Sequence, residues 1–288
     1  MTVLDVEELK KLLKNRIIIF TGILVVAATY VYSQNNRIEA EHINIKTDKL
    51  PKELEGLKIA HVSDVHIPRK GPGIKNLLKI LNKENPDIIV LTGDILDRSG
   101  DLDNPYFSEL CKGLADITDT YAVTGNHEVR KNSAGKWAEA LDRYNVKVVE
   151  NRIEIYRKGN SMVAVMGLKD NCGYSPEYFE NIETVKDTPK ILLAHRPELF
   201  DTYYSDSHDI KPDLVFSGHA HGGQFRIPFI NKGIAAPNQG FFPEYTSGLY
   251  TSDNGVQMIV SRGLGNSIIP VRINNRPHLP IIYLRGAL

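Results

Sequence analysis

The chain is poor in cysteine, carrying two, Cys111 and Cys172, in 288 residues. Two thiols make neither a disulfide framework nor a sulfur-rich zinc site, and both are expected to be free, packed as small hydrophobes. Net charge is also missing, since 35 Lys and Arg balance 35 Asp and Glu. A nucleic-acid binder that works by bulk charge needs a basic surplus, so no nucleic-acid partner is expected. The sequence has no internal repeat and no low-complexity tract, which argues against fibrous and disordered architectures. With 42% hydrophobic residues there is ample material for one large α/β domain or two small ones.

Long apolar runs are missing as well, with one exception. Residues 17–36, IIIFTGILVVAATYVYSQNN, hold no charged side chain. As a helix rising ~1.5 Å per residue, this stretch covers ~30 Å, one bilayer core. Its strongly apolar part is Ile17 to Val31, and Tyr30 and Tyr32 suit a lipid–water boundary. Lys10, Lys11, Lys14 and Arg16 precede it, so the N-terminus is expected in the cytoplasm and everything after residue 36 across the membrane. A signal peptide cleaved near Val31-Tyr32-Ser33 and a buried core helix are the competing readings. Residues 4–16 place Leu4, Leu9, Leu12 and Leu13 among charges, as a short amphipathic helix lying on lipid would. The expected organisation is a cytoplasmic segment (1–16), a transmembrane anchor (17–36), a polar linker (37–56) and one domain (57–288).

From Leu57 a repeating pattern begins. Apolar runs at 57–63, 87–93, 120–125, 162–168, 190–196 and 213–218 alternate with helical stretches at 74–84, 105–117, 133–144 and 176–185. Continuously apolar strands between helices imply sheets buried on both faces. The tail has strands at 249–253, 256–262 and 280–286 with little helix. The pattern predicts a four-layer αββα sandwich of two mixed sheets.

Five of these runs end in Asp, His or Asn: Asp64 and His66, Asp94, Asn126, His195, and His219 with His221. Taken singly, each has an ordinary explanation, an Asp as helix cap, an Asn as turn residue, a His as a bonded surface group. Taken together they are oxygen and nitrogen donors gathered at strand ends, where open α/β sheets carry their sites. Such a set, free of sulfur, suits manganese, iron or zinc. Within Asp64-Val65-His66 and His219-Ala220-His221, residues two apart point the same way while a strand persists.

The ordered motifs Asp64-Val65-His66, Gly93-Asp94-Ile95-Leu96-Asp97, Gly125-Asn126-His127-Glu128, His195 and Gly218-His219-Ala220-His221 resemble the calcineurin-like metallophosphoesterase family. GHAHGGQ (218–224), SRGLG (261–265) and the apolar N-terminus resemble its membrane-associated or exported bacterial branch. The resemblance implies two divalent metal ions. Asp64, His66 and His221 would hold one ion; Asn126, His195 and His219 the other; Asp94 would bridge them. His127 would be a catalytic, non-ligand histidine that protonates the leaving oxygen, and Asp97 and Glu128 would orient the ligands. Ala220 stands where the family often has Thr, with its side chain expected to face away from the metals.

The implied reaction is hydrolysis of a phosphate ester or pyrophosphate by a water activated between the ions. The expected substrate is a phosphate-containing small molecule or a lipid-linked phosphate such as UDP-2,3-diacylglucosamine. Phe225, Ile227, Pro228, Phe229, Ile230, Phe241, Phe242 and Tyr245 follow the last motif. They form either a loop packed back on the sheet or a membrane-facing lip for acyl chains. Soluble phosphomonoesters or phosphodiesters are the alternative substrates. A non-catalytic scaffold of the same fold is disfavoured, because scaffolds lose ligands and every motif here is whole.

Overall fold

The structure is a computed structural model describing residues 6–47, 50–68, 71–130, 134–205, 207–230, 232–266 and 269–286. Leu4 of the amphipathic segment lies outside them. Along the chain run α1 (Val6–Asn36), β1 (Glu39–Thr47), β2 (Lys58–Val62), α2 (Ile74–Glu84), β3 (Ile88–Thr92), α3 (Pro105–Ala115) and β4 (Thr120–Val123). Then follow α4 (Asn126–Arg130), α5 (Ala134–Asp142), β5 (Val146–Val148), β6 (Ile153–Lys158), β7 (Ser161–Gly167), β8 (Lys190–Leu193), α6 (Phe200–Tyr203) and β9 (Leu214–Ser217). The last part holds two small ribbons, β10 (Arg226–Ile227) with β11 (Lys232–Gly233) and β12 (Ala235–Ala236) with β13 (Gly240–Phe241). It closes with β14 (Gly248–Thr251), β15 (Gln257–Val260) and β16 (His278–Gly286).

Two six-stranded mixed sheets result, ordered β1-β16-β2-β3-β4-β5 and β14-β15-β9-β8-β7-β6. The parallel central strands are apolar on both faces because each sheet is covered twice. Ile59, Ile88, Val90 and Val123 of the first sheet meet Val163, Val165, Ile191, Leu193 and Phe216 of the second in a dry inner layer. Outside the first sheet, Leu77 and Leu81 of α2, Phe107, Leu110 and Leu114 of α3, and Trp137 and Leu141 of α5 pack on Val62, Ile89 and Leu91. Local sequence starts and stops these helices. Asn104 caps α3 by accepting the Tyr106 N–H (2.9 Å) ahead of Pro105. Asn85 ends α2 in the left-handed conformation. Cys111 is buried, and both cysteines are free.

Three readings of the sequence change here. The expected linker, 37–56, is part of the fold, because β1 pairs in parallel along all of β16, Glu39 to His278 through Thr47 to Gly286. Its alternating polar residues face solvent at a sheet edge while Ile45 is buried beneath. The stretch 176–185 is not one helix but two 3-10 turns, interrupted by Asn181 in a left-handed conformation. Residues 6–36 form one unbroken helix, so within the described residues the amphipathic stretch runs straight into the apolar one. From Ile17 to Tyr32 its large apolar side chains are exposed, and α1 is long and apolar enough to cross a membrane.

Candidate metal centre

All eight proposed site residues lie just past the carboxyl ends of central strands, where the two sheets face each other. Asp64 and His66 follow β2, Asp94 follows β3, and Asn126 and His127 open α4 after β4. From the second sheet, His195 follows β8, and His219 and His221 follow β9. The shared direction of Asp64 and His66, and of His219 and His221, is not strand alternation, since β2 ends at Val62 and β9 at Ser217. Instead Asp64 (φ 50°), His66 (φ 53°), Asp94 (φ 52°), His219 (φ 65°) and His221 (φ 47°) all adopt left-handed backbone. That conformation is uncommon outside glycine and marks strain held for function. Ala220 between the histidines turns into the outer core of the second sheet, away from the cluster, as expected.

The side chains converge. His66 Nε2 and His221 Nε2 lie 3.1 Å apart, and Asp64 Oδ1 is 3.9 Å from the first and 3.6 Å from the second. His195 Nε2 lies 3.1 Å from His219 Nδ1, 3.3 Å from Asn126 Oδ1 and 3.5 Å from Asp94 Oδ2. Asp94 Oδ2 also lies 3.9 Å from His66 Nε2, so it stands between the two groups. The groups Asp64–His66–His221, Asp94–His195–His219 and His66–Asp94–His127 each bring their ligand atoms within 4.8 Å of one another. The seven proposed ligands, Asp64, His66, Asp94, Asn126, His195, His219 and His221, are all buried. His127 is slightly more open, its Nε2 3.7 Å from Asp94 Oδ2.

These donors fit divalent ions. Two ring nitrogens facing each other at 3.1 Å in a buried site share at most one proton, and a cation accepts both lone pairs. His195 donates Nδ1–H to the Thr92 carbonyl (2.7 Å), which turns Nε2 toward the cluster as a donor to metal. Without a cation the charge is unsettled. Burial opposes the Asp94 charge, but His195, His66 and His127 outweigh it and lower its pKa. Burial works against the charged form of His195 too, yet Asp94 raises its pKa to about 10. Burial pushes Asp64 up. Burial and the His195 charge take His219 down to about 2, and burial with the His66 charge lowers His221.

The cluster is braced from behind. One Glu128 carboxylate accepts the N–H groups of Asp94 (2.9 Å), Leu96 (3.0 Å) and Gly125 (2.9 Å), tying the β3 loop to the β4 loop. Burial and the Asp94 charge raise its pKa to about 7. Asp97 Oδ1 lies 3.0 Å from His127 Nδ1, which also accepts the Arg98 N–H (3.1 Å). Gly125 and Gly218 leave no room for a side chain, since a Cβ would come within 2.3 Å of Asp94 Oδ1 and 2.0 Å of Ser63 Oγ, respectively.

Several supports carry no local sequence signal. His61 Nε2, Thr92 Oγ1, Ser63 Oγ and Asp64 Oδ2 form a buried chain of hydrogen bonds at 2.8, 2.8 and 2.6 Å. Asn238 Nδ2 reaches His219 Nε2 at 3.1 Å. Asn275 Nδ2 donates to the His221 (2.8 Å) and Gln224 (3.0 Å) carbonyls, while its own N–H donates to Gln34 Oε1 (3.1 Å) at the end of α1. The SRGLG segment acts directly, the Leu264 and Gly265 N–H groups bonding the Ser63 and Asp64 carbonyls at 3.1 and 2.7 Å.

Two facing mixed sheets with Asp, Asn and His gathered at their common carboxyl edge define an α/β protein with a candidate divalent-metal centre. Residues 57–223 match the calcineurin-like phosphoesterase family, and the chain belongs to it. It is 27% identical over 267 residues to the metallophosphoesterase YkuE of Bacillus subtilis, covering 88% of each chain. It is 27% identical over 235 residues to the phosphodiesterase YaeI of Escherichia coli, covering 79% of this chain and 82% of that one. It is 26% identical over 282 residues to a transmembrane protein with metallophosphoesterase domain of Danio rerio, covering 92% of this chain and 62% of that one. α1 is long and apolar enough to cross a membrane, and the Danio rerio relative is named as a transmembrane protein.

Proposed function

We propose that the chain is a membrane-anchored phosphoester hydrolase that uses two divalent ions, manganese, zinc or iron, on a lipid-linked phosphate or pyrophosphate such as UDP-2,3-diacylglucosamine. The observation that carries this reading is the pair of buried ligand groups, Asp64–His66–His221 and Asp94–His195–His219, with Asp94 between them. Asn126 completes the second group. When bound, the ions supply positive charge to the phosphoryl oxygens and lower the pKa of a water so that it can attack phosphorus.

The chain's own residues do the rest. Asp64 and Asp94 offset the cationic charge, and burial of the cluster limits competing water. The neutral His127 ring accepts the Arg98 N–H at Nδ1 and keeps its proton on Nε2, the nitrogen that faces Asp94, whereas the protonated ring also carries Nδ1–H and donates it to Asp97. Burial lowers the His127 pKa, while Asp94 and Asp97 pull it up. A substrate phosphate adds negative charge beside the ring, favouring the imidazolium that gives its Nε2 proton to the departing oxygen.

The lipid-linked substrate is supported by the anchor. The last turn of α1 is bonded through Gln34 to Asn275, which holds the backbone of His221, so the metal cluster sits close to the end of the expected span. The N-terminus is cytoplasmic in this reading and the domain lies on the far side, unless α1 is cleaved as a signal. The name of YaeI favours a second reading, hydrolysis of soluble phosphodiesters.

The test is a substrate panel on manganese-loaded full-length protein in vesicles, comparing UDP-2,3-diacylglucosamine, bis-p-nitrophenyl phosphate and p-nitrophenyl phosphate. Hydrolysis of the lipid-linked substrate well above both soluble esters supports the first reading; preference for the bis ester supports the second. Absence of all three activities, with two metal ions bound, overturns both.

A further inference from the structure

We propose that residues 225–230 and 232–242 form a second membrane contact, a flap whose apolar tip enters the bilayer beside α1. The proposal rests on α1 crossing that bilayer. The two ribbons β10–β11 and β12–β13 project large apolar side chains that nothing among the described residues covers. Phe229 is 105% exposed, Ile230 66%, Phe241 80% and Phe242 57%. Removing such side chains from water is favourable, and large exposed apolar groups gathered on one segment mark an interaction site.

Position says which partner. Tyr30, near the end of the apolar run, hydrogen-bonds Asn274, and Asn274 Nδ2 donates to the Arg226 carbonyl at 3.2 Å, at the base of the flap. Phe229 lines one surface recess with Gln34 in the last turn of α1 and with Glu39, Asn274 and Arg276. The tip therefore starts at the depth of Tyr30, and a tyrosine at the end of a span marks the headgroup level. Ile273, next to Asn274, is also exposed and extends the apolar surface. On the flap, Lys232 Nζ lies 5.9 Å from the Phe242 ring, so a cation stands over the apolar group, the arrangement that lets a ring sit among acyl chains while its ammonium meets lipid phosphate. The segment also carries Asn238, bonded to His219, and so joins the lipid surface to the metal cluster. A lipid-linked substrate could keep its chains in the bilayer while its phosphate meets the metals.

The chain has one tryptophan, Trp137, 1% exposed in the core outside the first sheet. Introduced tryptophans therefore report cleanly on lipid. The full-length protein is placed in phosphatidylcholine vesicles with and without brominated phosphatidylcholine, as Phe229→Trp, as Phe20→Trp in the span, and as Tyr178→Trp on the exposed 3-10 turn of residues 176–178. Unchanged melting temperature shows that each variant is folded. The expected result is loss of fluorescence to brominated lipid for Phe229→Trp and Phe20→Trp, with no loss for Tyr178→Trp. Loss for Phe20→Trp alone overturns the flap and leaves the span intact. No loss at either position overturns the span, and the flap with it. Neither result bears on which phosphate ester is hydrolysed.

Discussion

At the residue scale, one Glu128 carboxylate ties the loops that carry Asp94 and Asn126 by accepting the Asp94, Leu96 and Gly125 N–H groups. Glu128→Gln keeps the shape but sets an amide N–H₂ against backbone N–H donors, so one loop loses its acceptor. Metal affinity is expected to fall by about 10–100-fold, the usual result of removing such a partner, as read by calorimetric titration with manganese. Asp94→Asn and His127→Ala are expected to differ. The first loses metal and activity together. The second retains metal, with turnover falling by about 10²–10⁴-fold and least for p-nitrophenyl esters, whose leaving oxygen needs no proton. Equal losses for good and poor leaving groups would remove His127 from proton transfer. The identities of these residues were legible, since Asp, Asn and His after apolar strands are visible in the sequence. That Asp64, His66, Asp94, His219 and His221 turn inward through left-handed backbone was not, because no local pattern marks a non-glycine residue for that conformation.

At the element scale, strands and long helices were legible because apolar runs and helical periodicity reflect burial by neighbouring layers. The edge strand β1 was not, since one face of it meets water and its composition matches that of a linker. The 3-10 turns of 176–185 were missed for a related reason: helical spacing of apolar residues does not register Asn181 in left-handed backbone. The contact between α1 and the domain was equally invisible, because it joins residues about 240 positions apart through polar side chains, Gln34 to Asn275 and Asn35 to Arg272. Asn275→Ala leaves the buried His221 and Gln224 carbonyls without this donor. Its expected cost is about 1–3 kcal/mol of stability, with weaker metal binding at the group containing His221, measured by denaturation and titration on the same preparation. Full metal affinity in a destabilised Asn275→Ala protein would confine that residue to a structural role.

At the scale of the whole molecule, burial makes stability depend on pH. Burial lowers the His61 pKa to about 3 and, with Arg262, that of His278 to about 4. Both lie below the ~6.5 of an unfolded histidine, so between those values the unfolded chain binds more protons. Their contribution is complete above pH ~6.5 and is lost as pH falls, by about 3 kcal/mol for His278 alone by pH 4. Thermal melts of metal-loaded protein are expected to fall steadily from pH 7 to pH 4.5, and a flat profile contradicts the neutral buried state. Metal acts in the opposite direction. At a free concentration 100 times its dissociation constant, a ligand specific for the folded state adds about 2.7 kcal/mol. Chelating both proposed ions, each contributing that amount, is therefore expected to lower the melting temperature by about 10–20 °C, given ~2–4 °C per kcal/mol for a domain of this size.

The strand order β1-β16-β2 has a consequence for biosynthesis. The first sheet can close only when residues 278–286 slide between two strands made more than 200 residues earlier. A nascent polypeptide halted on the ribosome before that point has its N-terminal helix and every proposed ligand, yet β2, from whose end Asp64 and His66 follow, lacks one of its two paired neighbours. Maturation must wait for the last strand to be released, so such a stalled intermediate should capture manganese poorly even though no ligand is missing from it.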